Sequence, residues 1–305
     1  MGISDSMNEL ERLRSRNSLL IGLTFGIPIV SMFFYGSLMF RSASPQASAS
    51  TASPSLAFPL LMLFIPVSIV VLLLMANKNR KRFKQLYKET FVVNSLSNYF
   101  SQVMYDWENG FSQEQVKNFG LSRMGNRFSS EDYLRGVYKD ILFEQADVTI
   151  RYHHNTGKSS STVTYFKGRM FSFTFPKNQV TSLQVYSKNF AYAQSSPSGF
   201  KMQKVNLESE DFNKNFVVKT AYEHDAFYII TPALMERIQA LSSKYRTMVM
   251  YFSGGRLFLG IEGCTDTFDP PMNKKLSYPE EQERIRRDVQ DIIDVIDTMT
   301  QSVSL

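Results

Sequence analysis

Three histidines and one cysteine narrow the chemistry open to this 305-residue chain. A metal site would have to draw on His153, His224, Glu223, Asp225 and Cys264. His153 and His154 are neighbours on a strand-like run and point to opposite faces, and no HExxH or Cys-x-x-Cys spacing occurs. The weak catalytic candidates are His224, Asp225 and Cys264, with His224 as base to a cysteine nucleophile. A cysteine just after an apolar strand is more often a small, partly buried hydrophobe. There is no G-x-S-x-G elbow for a serine nucleophile. Gly157-Lys158-Ser159 matches only the end of a phosphate-loop pattern, has Tyr152 where the first glycine belongs, and lies between strands.

Asp288, Asp291, Asp294 and Asp297 recur every third residue. On a helix turning about 100° per residue each is displaced about 60° from the last, so the four cannot converge on one ion. They are expected on a solvated face, opposite an apolar arc of Ile285, Val289, Ile292, Ile293, Ile296 and Met299. No metal and no cofactor is expected.

Charge bears on partners. Residues 1–90 carry 10 Lys and Arg against 4 Asp and Glu, while residues 91–305 carry 24 of each, so the whole formal charge of +6 sits in the first 90 residues. The remainder has no net basic footprint, and nucleic acid is not an expected partner. One cysteine excludes an internal disulfide framework.

The elements begin with two uncharged apolar runs, Leu19–Phe40 and Leu56–Ala76, of 22 and 21 residues. About 20 suffice to cross a bilayer as helix. The first is longer than the apolar stretch of a signal peptide, about 7–15 residues, and is expected to remain as a span. Arg12, Arg14 and Arg16 precede the pair, Lys78, Arg80, Lys81, Arg82, Lys84 and Lys88 follow it, and only Arg41 lies between. That bias places both termini in the cytoplasm and the Ser/Ala/Pro-rich 41–55 loop outside. No Asp, Glu, His, Lys or Arg lies inside either run, so an anchor is favoured over a transporter.

Downstream, apolar spacing predicts a helix from Phe83 to about Val103. Ser112 and Gln115 form a capping box with Phe111 and Val116 as its staple, and a second helix start is expected at Ser129–Asp132, leading into EDYLRGVYKD. The period then changes to two. ADVTIRYHH and STVTYFKGRMFSFTF read as a hairpin, SLQVY, KMQKVNL, FVVKTA and AFYII as strands, and TMVMYF-SGG-RLFLGIE as a second hairpin. Thr231 and Pro232 open a helix, and Ser277 and Glu280 cap a last one over roughly 280–299. The fold class is α+β: an N-terminal two-helix transmembrane hairpin, then a mainly antiparallel sheet with flanking helices and a C-terminal amphipathic helix. The segments are a cytoplasmic 1–18, the hairpin 19–76, a basic juxtamembrane 77–110, and a cytoplasmic domain 111–305, either single or divided near 191–210.

The order of these features resembles the bacterial two-span membrane proteins grouped as domain-of-unknown-function family 3137. The features are Asp132 and Gly136 with Glu144, Phe166-Lys167-Gly168, and a strand–Ala–strand–Thr-Pro-helix unit from Phe216 through Ala226 and Ile230 to Thr231 and Pro232. The resemblance implies a multi-pass protein of the bacterial cell membrane and carries no catalytic residue with it. Gly136 and Gly168 read structurally, as places of close backbone approach or bulging. The favoured function is a membrane-anchored cytoplasmic interaction or regulatory module. Its partners are the lipid bilayer and a protein bound through the sheet edge, the aromatic strands or the 263–279 loop. The rival classes are a membrane-associated enzyme using the His/Asp/Cys set and a lipid-recognising, pleckstrin-homology-like module.

Overall fold

The computed structural model describes residues 3–42, 57–157, 159–174, 182–195, 199, 201–245, 247–264 and 268–300, with the side chains of 3, 34–42, 57–64 and 300 excepted. The expected external loop therefore falls largely outside the described residues, as do parts of the 191–210 and 263–279 segments. The chain forms two compact units, Met1–Thr90 with Pro270–Glu281, and Phe91–Asp269 with Gln282–Leu305.

The first unit is built on two long helices, α1 (Ile3–Ser42) and α2 (Ala57–Tyr87). α1 runs through Pro28 unbroken. Their polar ends are joined: Asn79 donates to the Leu13 carbonyl at 2.7 Å, and Arg82 pairs with Glu9 at 2.6 Å. The 270–281 segment joins the same unit, with the Leu276 N–H donating to Glu11 at 2.8 Å and the Tyr87 hydroxyl to Glu281 at 2.5 Å. Leu10, Phe83 and Tyr87 are fully buried. Beyond these contacts apolar side chains are bare: Phe25 is 69% exposed, Phe33 77% and Leu74 64%. α1 is long and apolar enough to cross a membrane over Ser4–Phe33. Among the described residues no second helix meets that measure, so the expected two-helix transmembrane hairpin is reduced to one candidate span. Side chains 57–64 of the expected second run lie outside those described.

A π-helical turn, Lys88–Val92, follows α2 and leads into α3 (Val93–Tyr99). The helix expected to reach Val103 stops there, because Ser101–Asp106 is a strand, β1. α4 (Gln113–Phe119) starts at the expected capping box, Ser112 accepting from the Gln115 N–H and Gln115 accepting from that of Ser112.

The next segment departs from expectation. Arg127–Tyr138 is not a helix but a strand, β2. Leu134 and Gly136 alternate with exposed Arg135, a period of two, and Gly136 leaves room for the rings of Phe143 and Phe100. β2 is also hydrogen-bonded on both sides, to β1 and to β3 (Ile141–Asn155), a pairing that outweighs a local helix start. β4 (Ser160–Thr174) completes the expected hairpin; β5 (Leu183–Ser187) and β6 (Gln203–Val205) follow, then α5 (Glu210–Asn215) and β7 (Phe216–Thr220).

The expected strand AFYII is instead part of a helix, α6 (Glu223–Ile229). Its period explains the change: Ala226 and Ile229, three apart, are buried while Phe227 and Tyr228 between them are exposed. The Thr231 hydroxyl accepts from the Leu234 N–H at 3.3 Å and starts α7 (Pro232–Tyr245), with Pro232 in the first position. β8 (Met248–Ser253) and β9 (Arg256–Glu262) are joined at Gly254 and Gly255, both at positive φ, as a two-residue hairpin requires. α8 (Tyr278–Thr300) ends the described chain.

Among the described residues nine strands form one sheet in the order β1-β2-β3-β4-β9-β8-β5-β7-β6, every neighbouring pair antiparallel. On one face Ala146, Val148, Ile150, Phe166 and Met170 pack with Phe111, Val116 and Phe119 of the α4 region. On the other lie Phe143, Phe171, Phe173, Leu257, Leu259 and Met250, all buried, and Arg169, whose charge bears on Asp288 of α8. Ile285, Val289, Ile292, Ile296 and Met299 of α8 are buried as the apolar arc predicts. Each such side chain contributes about 1.5–3 kcal/mol by leaving water.

Candidate functional site

A cleft of about 390 Å³ lies over β2, β3 and β4, lined by Glu108, Ser129, Ser130, Glu131, Asp147, Thr149, Arg151 and Lys167. Strand register builds it. β2 and β3 place Glu131 opposite Asp147, Ser129 opposite Thr149 and Arg127 opposite Arg151. Opposed residues of antiparallel strands share a face, and alternate residues along each strand do too. Three rows therefore cross the two strands: acid against acid, hydroxyl against hydroxyl, base against base. β4 adds Lys167 beside Thr149 and Arg169 beside Asp147.

Local structure holds the rows in place. Asp106 accepts from the N–H groups of Glu108 and Asn109 at 3.0 and 3.1 Å, which curls the Asp106–Gly110 turn and brings Glu108 to the cleft. The Asn109 carbonyl accepts from the Tyr133 N–H, and a Cβ at Gly110 would overlap Ser130. At the basic end, Asn126 donates to the His153 carbonyl and accepts from its N–H, both at 2.7 Å. A Cβ at Gly125 would overlap the Arg151 carbonyl, so glycine permits that approach.

Behind the acid row the sheet buries charge. Arg169 and Asp147, each under a tenth exposed, face one another at 3.5 Å. Asp132 is buried in the β2 bulge at a φ of 60° and accepts from the Tyr105 hydroxyl at 2.5 Å. Burial, with Asp132, Asp269 and Asp147 nearby, pushes the Tyr105 phenol well above its ordinary range. Asp288 is half-buried with its Oδ2 unbonded; burial raises its carboxyl to about 6, against the pull of Arg284, Arg169 and Arg287. The aspartates of α8 are thus not a uniformly solvated face. Asp288 turns inward, Asp291 and Asp294 pair with Lys244 at 2.7 and 3.7 Å, and Asp297 pairs with Lys139 at 2.8 Å. Among the described residues no group of three or more His, Cys, Asp or Glu side chains could hold a metal ion.

The catalytic candidates are not brought together. His224 is exposed on α6, beyond Thr220 at the end of β7 that lies level with Leu183, Phe252 and Leu257. Cys264 follows β9 at the other end, past Ile261 and Met248, and β8 and β5 lie between β9 and β7. Asp225, beside His224, keeps Oδ2 buried without a hydrogen bond. Burial first, then Asp147 and Asp291, push the Cys264 thiol up, which opposes the thiolate a nucleophile needs.

Most of the family-like positions make packing or hydrogen-bonded contacts. Gly136 packs against Phe143 and Phe100; a Cβ at Gly168 would overlap the Ile261 carbonyl where β4 meets β9. Phe166 is in the core, Glu144 accepts from the Tyr133 hydroxyl at 2.6 Å, and Thr231 and Pro232 start α7. Lys167 alone among them lines the cleft. Sequence reasoning passed over Arg127, Glu131, Asp147, Arg151 and Arg169. The signal was present: Arg-x-Ser-x-Glu at 127–131 and Asp-x-Thr-x-Arg at 147–151 are mirror images. Antiparallel strands carrying mirror-image patterns align like with like, but a helix start at Ser129–Asp132 leading into EDYLRGVYKD conceals it.

No curated protein matches the chain. The crystal structure of the mycobacterial trehalose monomycolate transport factor A, TtfA, is similar at 8% sequence identity and a TM-score of 0.35, covering 65% of this chain and 89% of that one. That likeness is too distant to bear on function. A family model described as "Protein of unknown function (DUF3137)" matches residues 164–301, a stretch that takes in Phe166-Lys167-Gly168, Thr231-Pro232 and α8 but not Asp132, Gly136 or Glu144. Residues 164–301 thus match the DUF3137 family, the one the order of sequence features resembles.

Proposed function

We propose that this protein is a membrane-anchored interaction or regulatory module of the bacterial cell membrane, with two spans, both termini in the cytoplasm, and the sheet unit as the part that meets a protein partner. The observation that carries the reading is the division of the helical pair. Polar contacts tie Glu9 to Arg82 and Leu13 to Asn79, while past them Phe25, Met32, Phe33, Val70 and Leu74 are bare. Exposed apolar side chains on this scale need a non-aqueous neighbour. Lipid fits, because the flanks are basic and the runs carry no charge. A regulatory role is preferred to catalysis because His224 and Cys264 lie at opposite ends of the sheet and the Cys264 thiol is held protonated.

Topology reporters fused after residue 305 and within 43–55 test the anchor. Opposite sidedness, with the C-terminal reporter cytoplasmic, supports two spans. A C-terminal reporter outside the cytoplasm, or a chain released from membranes by carbonate, overturns the reading.

A further inference from the structure

We propose that the β2–β4 cleft binds a small zwitterion, its ammonium against the acid row and its phosphate or carboxylate against Lys167 and Arg151. The inference stands on the sheet unit alone and does not require the membrane reading.

The rows motivate it. Like charges directly opposed across antiparallel strands destabilise a sheet. Here two such pairs occur on one face of one strand pair, Glu131 with Asp147 and Arg127 with Arg151. Asp147 is partly compensated by Arg169 at 3.5 Å. At the other end Arg127, Arg151 and Lys167 are exposed and make no ion pair or side-chain hydrogen bond among the described residues. Three cations from three adjacent strands thus share this face, Arg127 and Arg151 in one row and Lys167 in the next, with no acid bonded to them. An anion seated there would relieve their repulsion, and guanidinium and ammonium donors suit phosphate or carboxylate oxygens.

The opposite end of the same cleft selects the other half of the ligand. Glu108, Glu131 and Asp147 supply acceptors that a plain anion would meet with repulsion. Successive rows on one face are about 7 Å apart along a strand. The acid row and the Lys167–Thr149 row are one step apart, a span fitting an ammonium and an anionic group in one small molecule. Ser129 and Thr149, in the same row as Lys167, offer hydroxyls that can donate or accept. A cleft of about 390 Å³ is of a size to hold a small polar ligand. The Asn126–His153 clamp and the Asp106–Gly110 turn hold both ends before the ligand arrives, reducing the ordering cost of binding.

The ligand chemistry has two sources, a free solute such as an amino acid or a phosphoethanolamine lipid headgroup. The full chain in mild detergent is titrated calorimetrically with O-phosphoethanolamine, β-alanine, inorganic phosphate and ethanolamine. The expected result is one-to-one binding of at least one zwitterion, about tenfold or more tighter than phosphate or ethanolamine alone. Lys167→Ala and Arg151→Ala should each weaken it about tenfold, and Glu131→Gln should erase the zwitterion's advantage over phosphate. These side chains are exposed, and unchanged thermal midpoints confirm that the variants fold. Competition by phosphatidylethanolamine vesicles identifies a headgroup; binding of the free solute without such competition identifies a soluble ligand. Phosphate binding as tightly as either zwitterion, no saturation by any probe up to about 10 mM, or full binding by the Lys167 and Arg151 variants overturns the proposal.

Discussion

The Tyr105 hydroxyl donates to Asp132 Oδ1 across the bulge of β2, and Asp132 holds this position at a φ of 60°. That backbone region costs an L-residue roughly 1–2 kcal/mol and is free to glycine. The hydrogen bond from the partly buried phenol to the buried carboxylate offsets the strain. Tyr105→Phe should therefore destabilise the protein by about 1–3 kcal/mol, since it removes a donor from a buried charged acceptor. At position 132 the order is diagnostic. Asp132→Gly relieves the backbone while losing the acceptor, so it should unfold at a higher temperature than Asp132→Ala. Thermal unfolding followed by circular dichroism reads both; an alanine variant as stable as the glycine variant would show that the φ carries no cost.

Asp288 gives a pH dependence of definite sign. Its carboxyl ordinarily titrates at 3.8 and is raised to about 6 in the fold, chiefly by burial. Between those values the native state binds the proton more tightly than the unfolded chain. The resulting stability is present below 3.8 and lost as the pH rises through about 6. Asp288→Asn, neutral throughout, should match the parent near pH 4 and exceed it at pH 7, by on the order of 1 kcal/mol after solvent screening. Melting temperatures of the two proteins across this range provide the check. A parent curve that rises relative to the variant toward pH 7 would mean that the nearby arginines outweigh burial.

What the sequence made legible follows from the range of the forces involved. The Ser112–Gln115 box, the Thr231-Pro232 start, the Gly254-Gly255 turn and the apolar arc of α8 depend on neighbours within a few residues, and all occur as expected. β2 was hidden because Ser129–Asp132 carries a plausible local helix start, and only pairing with β1 and β3 overrides it. α6 was hidden for the converse reason: a short run rich in aromatic and β-branched residues cannot be assigned by period alone. The candidate cleft depends on both kinds of information. Its charges are visible in the string, but their rows exist only once register is known.

Cys264 should behave as an unreactive thiol. Burial and the carboxylates of Asp147 and Asp291 raise it, and Arg169 and Lys244 pull it down less strongly. Alkylation by iodoacetamide near pH 7.5 should be several-fold slower than that of glutathione, and its rate should climb to a midpoint above that of an ordinary cysteine. A fast reaction at neutral pH, abolished by Cys264→Ser, would reopen the nucleophile reading.

α8 separates packing from surface charge. Ile292 is fully buried in the arc that covers the sheet, so Ile292→Asp places an unpaired carboxylate among apolar groups and should cost several kcal/mol, enough to unfold a marginal domain. Asp291 and Asp294 both reach Lys244 on α7, but all three side chains are close to half exposed. Exposed pairs contribute only about 0–1 kcal/mol, and with two acids sharing one lysine the loss of either is partly covered by the other. Asp291→Ala should shift the thermal midpoint slightly, Asp294→Ala less because its separation is 3.7 Å against 2.7 Å, and the double variant more than the sum of the two. Salt distinguishes this from a structural role: about 0.5 M sodium chloride should narrow the gap between parent and double variant while leaving the Ile292→Asp defect intact. A gap that survives the salt would mean that the aspartates act through packing of α8 against α7 rather than through charge.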